Sequence, residues 1–433
     1  MLKKINYKFK KTTRSEFNRN FFRLFQGTVI GQLLPIIAAP IISRLYSPDQ
    51  IGEFAFYSSL VSIGIGLVCL NIDRAIILPA NKSEAKRLIA IALKISFRFS
   101  IITFILLILL KFSHFLNYTK DFPWWWFLLC IHIFILGLFQ VGNYTLSRNK
   151  MFREIGRSRV YNGVSYTILQ VSSYKLQSLG LVLSLLLSRC FSSLNYFLQM
   201  KKNGDLNFKT LISVTSKFTK IEKKLMKKYK DFLIYGTSIS TLNNTSNQLP
   251  VILLQSIYSI QSAGIYSWAN RIIQMPTGLI TQAINQVFYQ DVSQKISEKK
   301  PILNLVKSTT KKLFVIGIIP YSILFLFAPQ IFGFVFGEKW ALAGEYTRCL
   351  IPWLFISFLN SPITGVISAY GKQKMHFYNE ITLLILRFLS LILGYIIWRD
   401  AFISVLLFGV VGFIYSIYMY YYLLKIVKEN EPL

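Results

Sequence analysis

Apolar runs of about twenty residues follow one another along the chain, separated by short polar breaks. A helix that crosses a bilayer needs ~20 mostly apolar residues. Twelve segments qualify as candidates: 24–45, 51–72, 88–110, 123–146, 159–174, 178–200, 232–257, 263–289, 313–336, 344–369, 376–398 and 401–424. We number them α1 to α12. The fifth is the shortest and most polar, carrying Asn162, Ser165 and Gln170. One longer hydrophilic stretch, 201–230, contains ten lysines and divides the spans six and six. The pattern predicts an all-α membrane protein of about 12 transmembrane helices. Its parts are an N-terminal six-helix lobe with a basic tail (1–200), a basic linker (201–230), and a C-terminal six-helix lobe with a short tail (231–433).

Charge fixes the orientation. With the N-terminus inside, and with Arg159 at the very start of the fifth span counted with the loop before it, the inside segments hold 37 of the 49 Lys and Arg, the outside loops hold five, and seven fall within spans. Such a bias is the positive-inside signature of a multi-pass membrane protein with both termini cytoplasmic. Composition agrees: 53% of the 433 residues are hydrophobic although the net charge is +31. That apolarity excludes a disordered chain. It also argues against nucleic acid as a partner, because a nucleic-acid binder carries its basic residues on a polar surface. The linker is expected to lie on anionic membrane lipids of the inner leaflet, where each Lys contributes ~1 kcal/mol. The basic lead-in has no A-x-A site after its apolar run, so α1 is read as an uncleaved helix.

Nothing in the chain suggests covalent chemistry. Cys69, Cys130, Cys190 and Cys349 are at least 60 residues apart, which excludes a CxxC site. His114, His132 and His376 are isolated, and no Walker A sequence is present. No metal and no cofactor is expected. The outside loops are short, the longest running about 111–122, so there is no external domain to hold a polymerase or ligase site. The Trp124–Trp126 run reads as part of an interfacial aromatic belt.

Two features point to transport. Tyr46–Phe54 (YSPDQIGEF) and Tyr258–Tyr266 (YSIQSAGIY) share Tyr-Ser, four residues, Gly, one residue and an aromatic, at an offset of 212. Each begins the second helix of its half, and paired repeats with a site between them are a transporter plan. The second feature is polarity inside spans, which is costly wherever it faces lipid. Ten of the twelve residues from Thr237 to Gln248 are polar, Asn243 and Asn247 among them. In α8, Asn270, Gln274, Thr277, Thr281 and Asn285 share one helical face, flanked by Arg271, Gln282 and Gln286. In α10, Ser357, Ser361, Thr364 and Ser368 repeat the pattern more weakly. Interhelical hydrogen bonding accounts for the Ser and Thr; a water-filled cavity accounts for the rest. Pro35 and Pro40 kink α1, and Pro250, Pro276, Pro352 and Pro362 kink the polar helices α7, α8 and α10.

The buried charges are mostly positive. Arg271 has no acid within one span, Arg387 lies near the middle of α11 with Glu380 two turns away, and Arg44 and Arg348 lie toward helix ends. Arg348 has Glu345 at i, i+3, and Lys94 is expected to snorkel to the inner face. No span carries an acid at its centre. Proton- or sodium-coupled drug exporters use such an acid, so a small-molecule exporter is the weaker reading. A cavity rich in Arg suits an anionic substrate such as a pyrophosphate, which Arg binds bidentately.

Three stretches carry a resemblance to a known family: Gly27–Tyr57, the pair KYKDFLIYGTSISTLNNTSNQLPVILLQ and AGIYSWANRIIQMPTGLITQAINQVFYQDVS, and Phe336–Tyr346 (FGEKWALAGEY). They resemble the bacterial Wzx-type polysaccharide (O-antigen) flippases of the multidrug/oligosaccharidyl-lipid/polysaccharide (MOP) exporter superfamily. The resemblance implies two six-helix lobes around a central cavity. It implies, without enzymatic activity, export of an undecaprenyl-diphosphate-linked oligosaccharide to the outer leaflet by alternating access, for O-antigen or capsule assembly. The substrate-binding set it implies is Arg44 and Arg271, then Arg348 and Arg387; the polar faces add Asn243, Asn247, Asn270 and Gln274. A coupling proton or sodium ion and a polysaccharide polymerase are candidate partners.

Overall fold

Strands are absent from the described residues, and the helices fall where the apolar runs lie. The computed structural model describes residues 26–112, 123–207, 213–298, 300–369 and 373–429. The basic N-tail, most of the 111–122 loop, residues 208–212 of the linker and the last four residues lie outside that description. So do the side chains of Gln282, Gln286, Thr364, Ser368 and His376.

Twelve long helices run through the described residues. They are α1 Gln26–Leu45, with a turn at Ala38, α2 Pro48–Leu67, α3 Lys82–Phe112, α4 Trp124–Arg148, α5 Phe152–Ser172 and α6 Gln177–Lys202. After the linker come α7 Thr237–Ile257, α8 Ile260–Ser297, α9 Leu303–Phe336, α10 Ala341–Ala369, α11 Gln373–Trp398 and α12 Ala401–Glu429. Seven are long and apolar enough to cross a membrane by length and composition alone. Of the other five, α5, α7, α8 and α10 carry the polar residues noted above. The chain is an all-α, multi-pass membrane protein.

Boundaries moved where apolarity was a poor guide. α5 starts at Phe152, seven residues before the sequence estimate, so Arg159, the first residue of that estimate, lies about two turns into the helix and donates to the Thr28 hydroxyl of α1. α8 and α9 extend past their charged ends because apolar residues continue at helical spacing. Phe288, Val292, Ile302 and Val306 pack there against Met419, Leu423 and Val427 of α12.

Contacts divide the chain into two compact units. One comprises 1–37 and 60–241; the other comprises 38–59 and 242–433. The second unit therefore contains the end of α1 and the start of α2. These segments are held by the repeat seen in the sequence. A Cβ on Gly52 would lie 2.0 Å from the Ile260 carbonyl oxygen, and one on Gly264 would lie 1.9 Å from that of Pro48. Residues 48 and 52 correspond to 260 and 264 at the repeat offset of 212. The N-terminal turns of α2 and α8 thus cross symmetrically, each glycine against the other helix's backbone.

In the first unit the linker is fastened along α3. Thr219 and Glu222 form a capping box that starts a short helix, Lys220–Lys228. Lys94 does not snorkel as expected: it is 2% exposed, and its Nζ donates to both Glu222 carboxylate oxygens at 2.9 Å. One turn further, Arg98 lies 3.9 Å from the Phe218 ring centroid and donates to the Ser216 carbonyl at 2.9 Å. At the other end Lys228 meets Glu84 at 2.6 Å. Burial alone would push the Glu222 pKa up. The hydrogen bonds from Lys94 and the Thr219 amide outweigh it and hold the carboxyl below the ordinary glutamate value.

Candidate functional site

All eight candidate residues lie in the second unit, and the structure sorts them into three settings. The most enclosed is the environment of Arg387 on α11, which is 3% exposed. Its guanidinium carbon stands 4.7 Å from the Trp353 ring centroid and 5.1 Å from that of Phe408. Its Nη1 donates to Ser246 Oγ at 2.8 Å and to Asn247 Oδ1 at 3.3 Å. Asn247 in turn donates to Asn243 Oδ1 at 3.2 Å, and Asn243 donates to Glu380 Oε2 at 3.1 Å. Glu380, near the start of α11, is itself buried. A chain of amides thus links a buried cation to a buried carboxylate. Desolvating a guanidinium is costly, and here two ring faces and two oxygens offset that cost.

The second setting is the polar face of α8. Gln274 Nε2 donates to Asn270 Oδ1 at 2.6 Å; Gln274 is exposed and Asn270 half-buried. Arg271 is half-buried, with its guanidinium 5.7 Å from the Trp268 ring centroid. Further along the helix, Asn285 and Ser361 of α10 exchange hydrogen bonds at 2.9 and 3.3 Å. That contact is the interhelical bonding expected of small polar residues.

The third setting is an aromatic corner that joins all three family-like stretches. Trp268 packs on Trp340 at 5.1 Å and on Phe336 at 5.8 Å. Trp340 Nε1 donates to the Ser43 carbonyl at 2.9 Å, and Lys339 Nζ donates to the Tyr46 carbonyl at 2.9 Å. Burial lowers the Lys339 pKa. Arg44 stands at the edge of this corner with its side chain exposed. Arg348 is exposed on α10, donating to the Phe325 carbonyl at 3.1 Å and to Glu345 at 3.3 Å, the i, i+3 pair foreseen from spacing.

The structure therefore brings Arg387, Asn247 and Asn243 together, and brings Asn270, Gln274 and Arg271 together on α8. Arg44 and Arg348 are placed separately. Sequence reading overlooked the partners of Lys94 and Arg98. The signal was present: two cations at i, i+4 on one face, and a capping-box acid in an otherwise basic linker.

Comparison with solved structures defines the class. An inward-facing multidrug resistance MATE family transporter of the MOP superfamily superposes with a TM-score of 0.66 at 15% identity, covering 94% of this chain and 95% of that one. A MOP superfamily transporter from Pyrococcus furiosus gives 0.64 at 15% identity, covering 96% of each chain. The chain has the MOP transporter fold. The family model described as polysaccharide biosynthesis protein matches residues 41–344, and the chain belongs to that family. Among curated relatives, the teichuronic acid biosynthesis protein TuaB of Bacillus subtilis is 22% identical over 61% of this chain. The amylovoran biosynthesis protein AmsL of Erwinia amylovora is 24% identical over 34%. These matches span 53% and 37% of the two relatives' lengths.

Proposed function

We propose that this protein is a flippase. It carries undecaprenyl-diphosphate-linked oligosaccharide units from the inner to the outer leaflet of the bacterial cytoplasmic membrane by alternating access, for surface polysaccharide assembly. The observation that carries the reading is membership of a polysaccharide biosynthesis family on a transporter fold. The second unit adds suitable chemistry: Arg271 half-buried beside an amide-lined helical face. A diphosphate accepts paired hydrogen bonds from a guanidinium, and sugar hydroxyls accept from and donate to amides. The reading assigns no covalent step to the chain. Both termini and the linker face the cytoplasm in this reading, which the 37-to-5 charge bias supports. A proton or sodium ion couples the cycle, and a polysaccharide polymerase uses the product.

The test is complementation of a strain lacking a known flippase, read as surface glycan. The chain should restore export. Arg271→Ala should abolish it and Arg271→Lys should lose most of it, with the amount of protein in the membrane unchanged. A lysine keeps the charge but loses the planar fork. Parental export by Arg271→Ala would remove Arg271 from the site. No restoration by the parental chain, in hosts supplying different glycans, would overturn the flippase reading.

A further inference from the structure

α2 ends at Leu67, and the chain turns sharply before α3 begins at Lys82. In that turn Leu70 and Asn71 take φ of 47° and 53°. A left-handed leucine is strained and persists only where its surroundings hold it. Val68, Cys69, Ile72, Ala75 and Ile76, all fully buried, anchor the segment. Its short 3-10 helix, Ile72–Ile77, packs against α3, α4 and the π-helical turn Phe232–Gly236. Asn71 clasps the start of α7. Its Nδ2 donates to Ser240 Oγ at 2.6 Å and to the Gly66 carbonyl at 3.4 Å. A Cβ on Gly66 would lie 2.7 Å from the Thr241 hydroxyl, so the end of α2 and the first turns of α7 meet closely. All these residues belong to the first unit.

Asp73 stands inside this segment, two residues after Asn71. It is 2% exposed, and its Oδ1 meets no hydrogen-bond donor. Among the described residues it forms no ion pair. Arg74 follows it in the chain but is exposed. The Cys69 thiol and the Tyr144 phenol of α4 lie near enough to feel its charge, and neither brings a positive one. Arg148 of α4 is turned to the Pro79 carbonyl at 2.7 Å. The 232–236 turn carries no charge, and no charged group of α3 acts on the carboxyl. Burial therefore dominates and pushes the Asp73 pKa up to about 6; the Asp73 and Arg74 amides and the Arg74 charge pull it down without offsetting burial. A carboxylate is costly to bury without a partner, and a bound proton removes that charge.

We propose that Asp73 is a proton-binding site that controls how firmly this turn and the first turns of α7 are seated. With the proton bound, the turn stays packed and Asn71 holds Ser240. When the proton leaves, the charge draws Asp73 toward water, the strained turn lifts, and the clasp on α7 loosens. The seated state binds the proton more tightly than the open one. Seating is therefore fully stabilised below the ordinary aspartate value of 3.8 and weakens as pH rises through about 6. This site does not depend on the flippase reading.

Cys69 reports the opening, because its thiol is fully buried four residues before Asp73. Purified full-length protein is treated with a maleimide, and Cys69 modification is read by peptide mass spectrometry in the parent and in Asp73→Asn. The ratio of the two at each pH cancels the thiol's own ionisation. It should rise about tenfold from about pH 5 to pH 7, as expected of an acid moved from 3.8 to about 6. Hydrogen exchange at 237–241, referred to the same variant, should rise over the same range. A flat Cys69 ratio overturns the proton site. A rising Cys69 ratio with flat exchange at 237–241 overturns the control of α7. Should Asp73→Asn not fold, Asp73→Ser, which is also neutral, provides the reference.

Discussion

At Arg387 the side chain's surroundings determine its role. An arginine near the middle of a span reads from sequence as a ligand for an anion, yet here it is buried against Trp353 and Phe408, which also pack on each other, and is bonded to Ser246 and Asn247. Removing it would empty a large buried volume and strand polar partners, so Arg387→Ala should destabilise the fold by about 2–5 kcal/mol. A fall in melting temperature of the purified protein checks this. Arg387→Lys should rescue little, because an ammonium lacks the planar face and the forked donors with which the guanidinium packs on the rings and bonds to Ser246 and Asn247. Arg271 should behave in the opposite way, losing transport without losing stability. The two arginines look alike in the sequence; burial separates them. Gly52 and Gly264 need their missing Cβ for a different reason. Alanine inside a helix is intrinsically favoured by ~1 kcal/mol over glycine. At a contact of about 2.0 Å to a carbonyl oxygen, overpacking of ~1–3 kcal/mol wins. Gly52→Ala and Gly264→Ala should each lower the melting temperature, and Gly278→Ala, with open space around it, should not.

At the scale of the element, the linker shows how few charges fix a segment. Its short helix is too small to be stable alone in water. The capping box starts it, and the Lys94–Glu222 pair and the Arg98–Phe218 stack attach it to α3. Breaking a buried pair on one side leaves an uncompensated charge, at a cost of ~3–5 kcal/mol. Glu222→Ala should therefore expose residues 213–228 to protease while the transmembrane helices stay protected. The same attachment is pH-dependent. Because the native pKa of Glu222 is held below its unfolded value, the native state binds fewer protons, and the stabilisation is present above ~4.3 and lost as pH falls through the lowered native value. Protease sensitivity of the linker should rise only in that acid range, and Glu222→Ala should remove the dependence.

For the whole molecule, orientation follows from where the charge lies. A cysteine placed at the exposed Thr215 should not react with an impermeant reagent added to intact cells, and should react after the membrane is opened. Labelling from outside would reverse the topology and move the basic linker to the wrong face.

The sequence by itself determined the class of fold. The periodicity and length of apolar runs set twelve helices, because a helix crossing lipid must satisfy its own backbone and so is written locally. It also determined the repeat, since Gly52 and Gly264 are specified by identity at one offset. What it could not determine is which polar side chain meets which. The Lys94–Glu222 pair joins residues 128 apart, and the Arg387–Ser246 bond joins residues 141 apart. The grouping of 38–59 with 242–433 is likewise a matter of packing. Such partners depend on how helices rotate and cross, which is settled by the fit of side chains and by close backbone approaches. Hydropathy along the chain is blind to both, and so the tertiary structure alone decided that one arginine is core and another borders a polar face.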